Sequence, residues 1–253
     1  MKRKLALIFI STFCFILVAS CLVACNVVIT SADFKTTNHT VDTFSSIDID
    51  VDVSEIKLVK SADKQYAVTC YETDKYYHKV SVENGTLKIK SVSALGVNLN
   101  IGWAKSPEIT IYLSEDVYDS LKVSADTGNV SISEDITFNT IDISCDTGNV
   151  KMDTVNCSKL TIECDTGNVD LTDTVASVSM DIEVDTGSIR LSQCDAPTIN
   201  LETSLGDIKG SLLTGKKFVA KSDLGDVNVP ANDPTGGVCT IYTDLGNIDI
   251  TIA

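Results

Sequence analysis

The sequence is short of positive charge. Its 253 residues hold 20 Lys and Arg against 35 Asp and Glu, a formal net charge of −15. Three of the bases, Lys2, Arg3 and Lys4, fall in an acid-free leader, so the remainder sets 35 acids against 17 bases. A surface of that sign cannot neutralise phosphates, which argues against nucleic acid and against docking on anionic lipid headgroups. Histidine is almost missing, with His39 and His78 alone. Beyond the leader stand six cysteines, Cys70, Cys145, Cys157, Cys164, Cys194 and Cys239, with no CxxC pair and no His/Cys zinc spacing. That spacing gives no metal ligand set and implies no cofactor, and the cysteines read as small buried hydrophobes.

What is present begins with the leader. Met1 to Lys4 is a basic start and Leu5 to Ala24 is apolar apart from small hydroxyls and thiols. Twenty such residues could span a bilayer, so an uncleaved anchor stands against a cleaved signal peptide. Leu22-Val23-Ala24-Cys25 resembles a bacterial lipobox, with Val18-Ala19-Ser20-Cys21 as a second, poorer match. The expectation is a lipoprotein signal peptide over 1–24, lipidation of Cys25 (alternatively Cys21), and a polar tether over 25–44. Two or three acyl chains would hold the chain on the outer face of the cytoplasmic membrane.

Self-similarity dominates the rest. Asp126-Thr127-Gly128-Asn129-Val130 recurs at Asp146, Asp165 and, as Asp-Thr-Gly-Ser-Ile, at Asp185. Drifted copies centre on Gly206, Gly225 and Gly246. The units are 19–21 residues long. Aligned on glycine, the positions seven and five before and two and four after are nearly all apolar, and the position two after is always Val or Ile. Each unit therefore reads as two period-two strands around a polar turn, with Gly at a positive φ and Asp capping the turn. So short a unit cannot bury its own apolar face. Stacking in register puts like over like at about 4.8 Å. The fold class is thus all-β, a single-stranded β-helix (β-solenoid), with seven regular coils over 121–253. Separate antiparallel hairpins would not keep residue type along columns. Residues 45–120 carry weaker echoes. Ile49, Val51, Ser54, Ile56 and Leu58 fit the columns with Ser54 in the glycine slot, and Val80, Val82, Gly85, Leu87 and Ile89 form a second echo. Longer excursions lie around Tyr71–Tyr77 and Leu95–Ser106.

The run Ile109-Thr110-Ile111-Tyr112-Leu113, an acidic turn, Leu121-Lys122-Val123 and the series of Gly-Asn/Asp-Val/Ile turns together resemble the DUF4097 family, the Toastrack-type β-solenoid linked to adhesion. The resemblance covers about residues 44–253 and departs at Ser114, where the family has Pro. It implies a bacterial envelope protein with adhesion or envelope-stress roles and supplies no catalytic residues.

Asp-Thr-Gly is also the aspartic-protease signature, but such a lobe supplies one motif and this chain has four at repeat spacing. The column Asp126, Asp146, Asp165 and Asp185 is the candidate cation site, since stacked carboxylates repel unless bonded, screened or cation-bound. The Asn/Ser/Asp column after Gly reads as a polar ladder. Cys145 and Cys164 share a column on adjacent coils, where the Cα atoms come within disulfide range but parallel stacked Cβ atoms sit slightly far apart. Trp103, Tyr71, Tyr76 and Tyr77 are core plugs or contact aromatics. The chain ends on an uncapped strand, Ile248 to Ala253, which suggests self-association through the C-terminal coil. A polysaccharide-active enzyme would need bases beside carboxylates on adjacent coils, and the bases beyond residue 120 share no column. The reading is therefore a non-enzymatic, membrane-anchored module binding an envelope protein or a cell-wall glycan. The alternative is an accessory or sensor subunit of an envelope-stress system.

Overall fold

The computed structural model describes residues 34–93 and 106–253. The leader with Cys21 and Cys25, and Trp103, lie outside the described residues. Nineteen strands follow in order, and no helix among the described residues is long and apolar enough to cross a membrane. They are β1 (Lys35–Thr40), β2 (Ser46–Val53), β3 (Glu55–Lys60), β4 (Ala67–Glu72), β5 (Tyr76–Glu83), β6 (Thr86–Ser93) and β7 (Glu108–Leu113). Then come β8 (Val117–Thr127), β9 (Val130–Thr147), β10 (Val150–Thr166), β11 (Val169–Thr172), β12 (Val175–Thr186) and β13 (Ile189–Cys194). Last are β14 (Thr198–Leu205), β15 (Ile208–Leu212), β16 (Lys216–Leu224), β17 (Val227–Asn228), β18 (Gly237–Leu245) and β19 (Ile248–Ile252).

The coils stack in parallel and in register, as the columns require. On one face Leu121 pairs with Ile141, Ile141 with Leu160, Leu160 with Met180 and Met180 with Ile199. On the other Val130, Val150, Val169, Ile189 and Ile208 line up. All of these are buried, each contributing about 1.5–3 kcal/mol of burial. The echo in 46–58 is a true coil, with Ile49 beside Val123, Val51 beside Ala125 and Ile56 beside Val130. A narrow third face joins the two at the corner, where Tyr118, Phe138, Cys157 and Ala176 succeed one another.

The glycines answer to close approach as much as to dihedral angle. A Cβ on Gly148 would lie 1.9 Å from the Gly128 carbonyl oxygen, and one on Gly167 1.6 Å from that of Gly148. Backbone cannot yield at that distance, so Gly148 and Gly167 admit no side chain. The position three before Gly has its own task. Cys145 and Cys164 donate their thiols to the Gly128 and Gly148 carbonyls at 3.4 and 3.3 Å, as Thr203 and Thr243 do with hydroxyls to Gly187 and Gly206 at 2.9 and 3.1 Å. The two cysteines are free thiols, not a disulfide.

Four expectations are corrected. Residues 25–44 are not tether throughout, because Lys35–Thr40 pairs antiparallel with β4 and Phe44 is buried. The second echo is not a coil. Asn84 and Gly85, with φ of 52° and 76°, make an Asn-Gly turn, so β5 and β6 form an antiparallel hairpin that leaves only β6 in the parallel stack. Among the described residues Asp126, Asp146, Asp165 and Asp185 make no capping bond; the asparagines after Gly bond the turn amide of the next coil instead. Finally, the coils do not stack in chain order. β14 pairs with β18, and β18 with β16; β15 pairs with β19, and β19 with β17. The last coil has slipped between its two predecessors. The same exchange occurs at the start, where β2 lies between β6 and β8 and β3 between β7 and β9. The C-terminal strand is therefore paired along its length with β15 and, at Ile248 and Asp249 alone, with β17 on its other side, and the open edge belongs to β16, β17 and the last residues of β19. There Asn232 accepts the Phe218 amide at 2.7 Å and blunts part of it.

Candidate functional site

The third face carries a cleft. Its column begins with aromatics: Tyr66 and Phe44 lie 4.8 Å apart, Phe44 and Tyr118 5.8 Å, Tyr118 and Phe138 5.6 Å between centroids. It dwindles to Cys157, Ala176 and Ala196, then to Gly236 and Gly215. Side-chain volume runs out along the rod, and a cleft of about 530 Å³ opens there. Alanines and glycines form its floor; Ser177, Asp195, Thr214, Lys216, Asp233 and Thr235 stand around it.

Coil order builds the cleft's inner wall. Gly237 lies in register with Lys216 and has the Pro197 carbonyl close on its other side, so a Cβ there would sit 2.1 Å from that oxygen. With no side chain in between, Lys216 reaches past the inserted coil to pair with Asp195. Lys216 is 2 % and Asp195 9 % exposed. Thr214 ties them, accepting from Lys216 Nζ at 2.8 Å and donating to Asp195 Oδ2 at 2.7 Å. The Ala196 amide donates to Asp195 Oδ1 at 2.9 Å. Asp233 accepts from the Thr235 hydroxyl and amide at 2.7 and 2.8 Å, and these bonds hold its carboxyl below the usual range. A base and two carboxylates from separate coils thus do converge, which the sequence columns missed because they assume chain order. The ammonium and the Asp195 carboxylate are each other's partners, so what the cleft offers a ligand is hydrogen bonding to hydroxyls and amides.

The predicted aspartates are brought together differently. Asp52, Asp126, Asp146, Asp165 and Asp185 succeed one another on the solvent side of the turn, all exposed. Burial, then the charges of Asp146, Asp52 and Asp50, raise the Asp126 carboxyl above its ordinary value. The neighbouring column is a true ladder. Asn129 Oδ1 accepts the Asn149 amide at 2.8 Å, Asn149 Oδ1 that of Asn168 at 2.9 Å, and Asn168 Oδ1 that of Ser188 at 3.0 Å. Glu55 heads it, bonded to Asn129 Nδ2 at 2.9 Å. Beside it the threonine column of the early coils becomes Leu205, Leu245 and Leu224, which are 50, 51 and 69 % exposed. Tyr76 is a core plug, whereas Tyr77 is exposed and Tyr71 stacks on Phe34 at 4.8 Å.

A stack of glycine-turned coils, capped by antiparallel strands, matches the Toastrack DUF4097 family over residues 44–252. The chain belongs to that family. No curated protein matches it. Among solved structures, this family member is similar to a candidate cell adhesion protein from Clostridium sporogenes at 15 % identity, over 87 % of this chain and 100 % of that one, with a TM-score of 0.40. A candidate adhesin from Bacteroides fragilis gives 17 % identity over 86 % and 97 %, TM-score 0.46. A candidate lipid binding protein from Parabacteroides distasonis gives 14 % over 87 % and 97 %, TM-score 0.30. Adhesion and lipid binding, not catalysis, are the roles named for these relatives.

Proposed function

We propose that this DUF4097 chain is an extracytoplasmic, lipid-anchored, non-enzymatic module of the adhesin kind that holds a hydroxyl-rich envelope ligand, a cell-wall glycan, in its third-face cleft. The cleft carries this reading: a floor of alanine and glycine backbone, with Thr214, Thr235, Ser177 and Asp233 placed to bond hydroxyls. The leader's basic start and Leu22-Val23-Ala24-Cys25 support the anchor. The described chain enters at the β1 end, and the cleft lies about six coils away, roughly 30 Å along the rod. An amino-terminal anchor thus presents the cleft outward. The test is retention of residues 26–253 on cell-wall fractions, with T235A and D233A beside the wild type. Retention lost in both folded variants supports the reading. Equal retention refutes the cleft, and release of cleaved glycan refutes the non-enzymatic role.

A protein partner is the second reading, favoured by the stacked Leu205, Leu245 and Leu224 on the turn edge. Such a ridge suits an accessory or sensor subunit of an envelope complex, or a second copy meeting the open β16–β17 edge. Crosslinking in cells with L224K as control separates it from glycan binding.

A further inference from the structure

The chain's two histidines both lie in the amino-terminal cap, His39 on β1 and His78 on β5. β4 turns Val68, Cys70 and Glu72 inward, and Cys70 and Glu72 are 0 and 4 % exposed. After the Thr73–Lys75 turn, β5 sends Tyr76 and His78 into the same space, His78 being 3 % exposed. One ligand atom from each of Cys70, Glu72 and His78 lies within 4.8 Å of the other two. His78 Nδ1 is 3.1 Å from Glu72 Oε2, which also accepts the His78 backbone amide at 2.8 Å. On the ring's other side Nε2 is 2.7 Å from Ser54 Oγ.

Proton bookkeeping makes the cluster unusual. Ser54 donates its one hydroxyl proton to the Val53 carbonyl at 2.5 Å. With that bond made, Nε2–H donates to Ser54 and the Nδ1 lone pair faces Glu72; with the Ser54 hydroxyl turned to Nε2 instead, Nδ1–H donates to Glu72. Burial, the largest influence on His78, disfavours a second ring proton; Glu72 opposes that in part, and His39 reinforces it. A second observation is independent of these bonds. His39 on β1 stands opposite Val68, on the inward face shared with Cys70 and Glu72. Its Nε2 is buried with no hydrogen-bond partner among the described residues.

The geometry points to a divalent-cation site of the zinc class in this cap, with Cys70, Glu72 and His78 as ligands and His39 as the fourth. A mixed sulfur, nitrogen and oxygen set selects zinc-like ions over calcium or magnesium. Zinc–ligand bonds of about 2.0–2.3 Å put tetrahedral ligands about 3.3–3.8 Å apart, so Cys70, Glu72 and His78, within 4.8 Å of one another, close by at most about 1–1.5 Å, and His39, which stands outside that distance, swings in to complete the set. Ser54 is then the outer partner that fixes the ring through Nε2–H. The Cys70 thiol, pushed up to about 12 by burial and by Glu72, gives up its proton on binding. The ion would join β1, β4 and β5, the antiparallel strands that close this end of the rod. The rival arrangement shifts two protons: Ser54 donates to Nε2, and Nδ1–H to Glu72. That chain has the order of a hydrolase triad and is complete without a cation. Ser54 is 0 % exposed, so its hydroxyl meets no substrate.

The test uses the mature chain, residues 26–253, stripped with chelator and titrated with Zn²⁺ or Co²⁺ alone. One equivalent should bind, cobalt should show a thiolate charge-transfer band, and a hundredfold excess of zinc over Kd should raise Tm by about 5–10 °C. C70S should abolish the band and weaken binding at least tenfold, and H39N should weaken it less. C145S, whose slot serine already fills at Ser222, should bind as wild type. A folded wild type with no band and no Tm shift overturns the site. So does binding that survives in C70S, which would place the ion elsewhere, or labelling of Ser54 by a fluorophosphonate, which would favour the triad.

Discussion

Lys216 and Asp195 hold the exchanged coil order, and breaking them should be costly. K216M keeps the aliphatic stem and removes the ammonium. It leaves a buried carboxylate whose remaining donors are the Ala196 amide at 2.9 Å and the Thr214 hydroxyl at 2.7 Å. Removing one partner of a buried pair costs about 3–5 kcal/mol, and the two surviving donors set this case near the lower end, about 3 kcal/mol. For a chain of this size that is a fall in Tm of roughly 6–12 °C. Urea unfolding followed by far-ultraviolet circular dichroism measures it, for K216M, D195A and the double variant. The double variant should recover most of the loss, because no charge is then stranded, giving a coupling of at least about 2 kcal/mol. A single-variant loss under about 1 kcal/mol, or additive losses, would mean that the pair does not bridge the inserted coil and that the stacking order is wrong.

The remaining predictions concern backbone approach, charge, a stranded hydroxyl and the leader. G167A puts a methyl 1.6 Å from a carbonyl oxygen inside the stack and should cost at least about 3 kcal/mol, whereas G225A on the outermost coil, at 2.0 Å from Gly246, should cost clearly less because that coil can shift; thermal melts rank them. D126N should stabilise at pH 7 by about 0.5 kcal/mol after allowance for solvent screening. Because the folded carboxyl is raised, the folded state holds more protons, so the strain is present at neutral pH and relieved on acidification. The gain should fade as pH drops toward the ordinary value of 3.8 and shrink in salt; melts across pH 7 to 4 check it. S114A removes a buried hydroxyl that lacks a partner among the described residues and should raise stability by about 1 kcal/mol in urea. Globomycin, or C25S, should leave a heavier unprocessed precursor on a gel; unchanged mobility in both would refute lipidation at Cys25.

Legibility in the sequence followed the period. The columns built on Leu121, Val123 and Val130 could be read because identical coils repeat one environment, and residue type then copies along the stack. Asn129, Asn149 and Asn168 were legible as a ladder for the same reason. The Asn84-Gly85 hairpin carried its own signal, an Asn-Gly pair between alternating strands, but the match of Val80 and Val82 to the columns masked it. Cys145 and Cys164 looked like hydrophobes because a thiol hides its donor role; the Thr203 and Thr243 of the same column reveal it. Asp195 with Lys216 showed no spacing at all, since that pair joins segments whose separation depends on which coil stacks on which, whereas Cys70, Glu72 and His78 lie close in sequence and meet through the Thr73–Lys75 turn, a spacing outside the ordinary CxxC or His/Cys patterns.

The sequence by itself determined the unit: two short strands, a glycine-tight turn, an apolar interior and an acidic exterior. That follows because steric limits and burial act within about twenty residues and are repeated with every coil. Only the tertiary structure decided the order of the units. Any coil presents the same row of amides and carbonyls to its neighbours, so the backbone pairs equally well whichever neighbour it meets. The choice falls to connecting loops such as 229–236 and to the few side chains that reach across coils. From that choice came the partial cover of the C-terminal strand and the cleft, whereas the cap cluster comes from the short turn between β4 and β5.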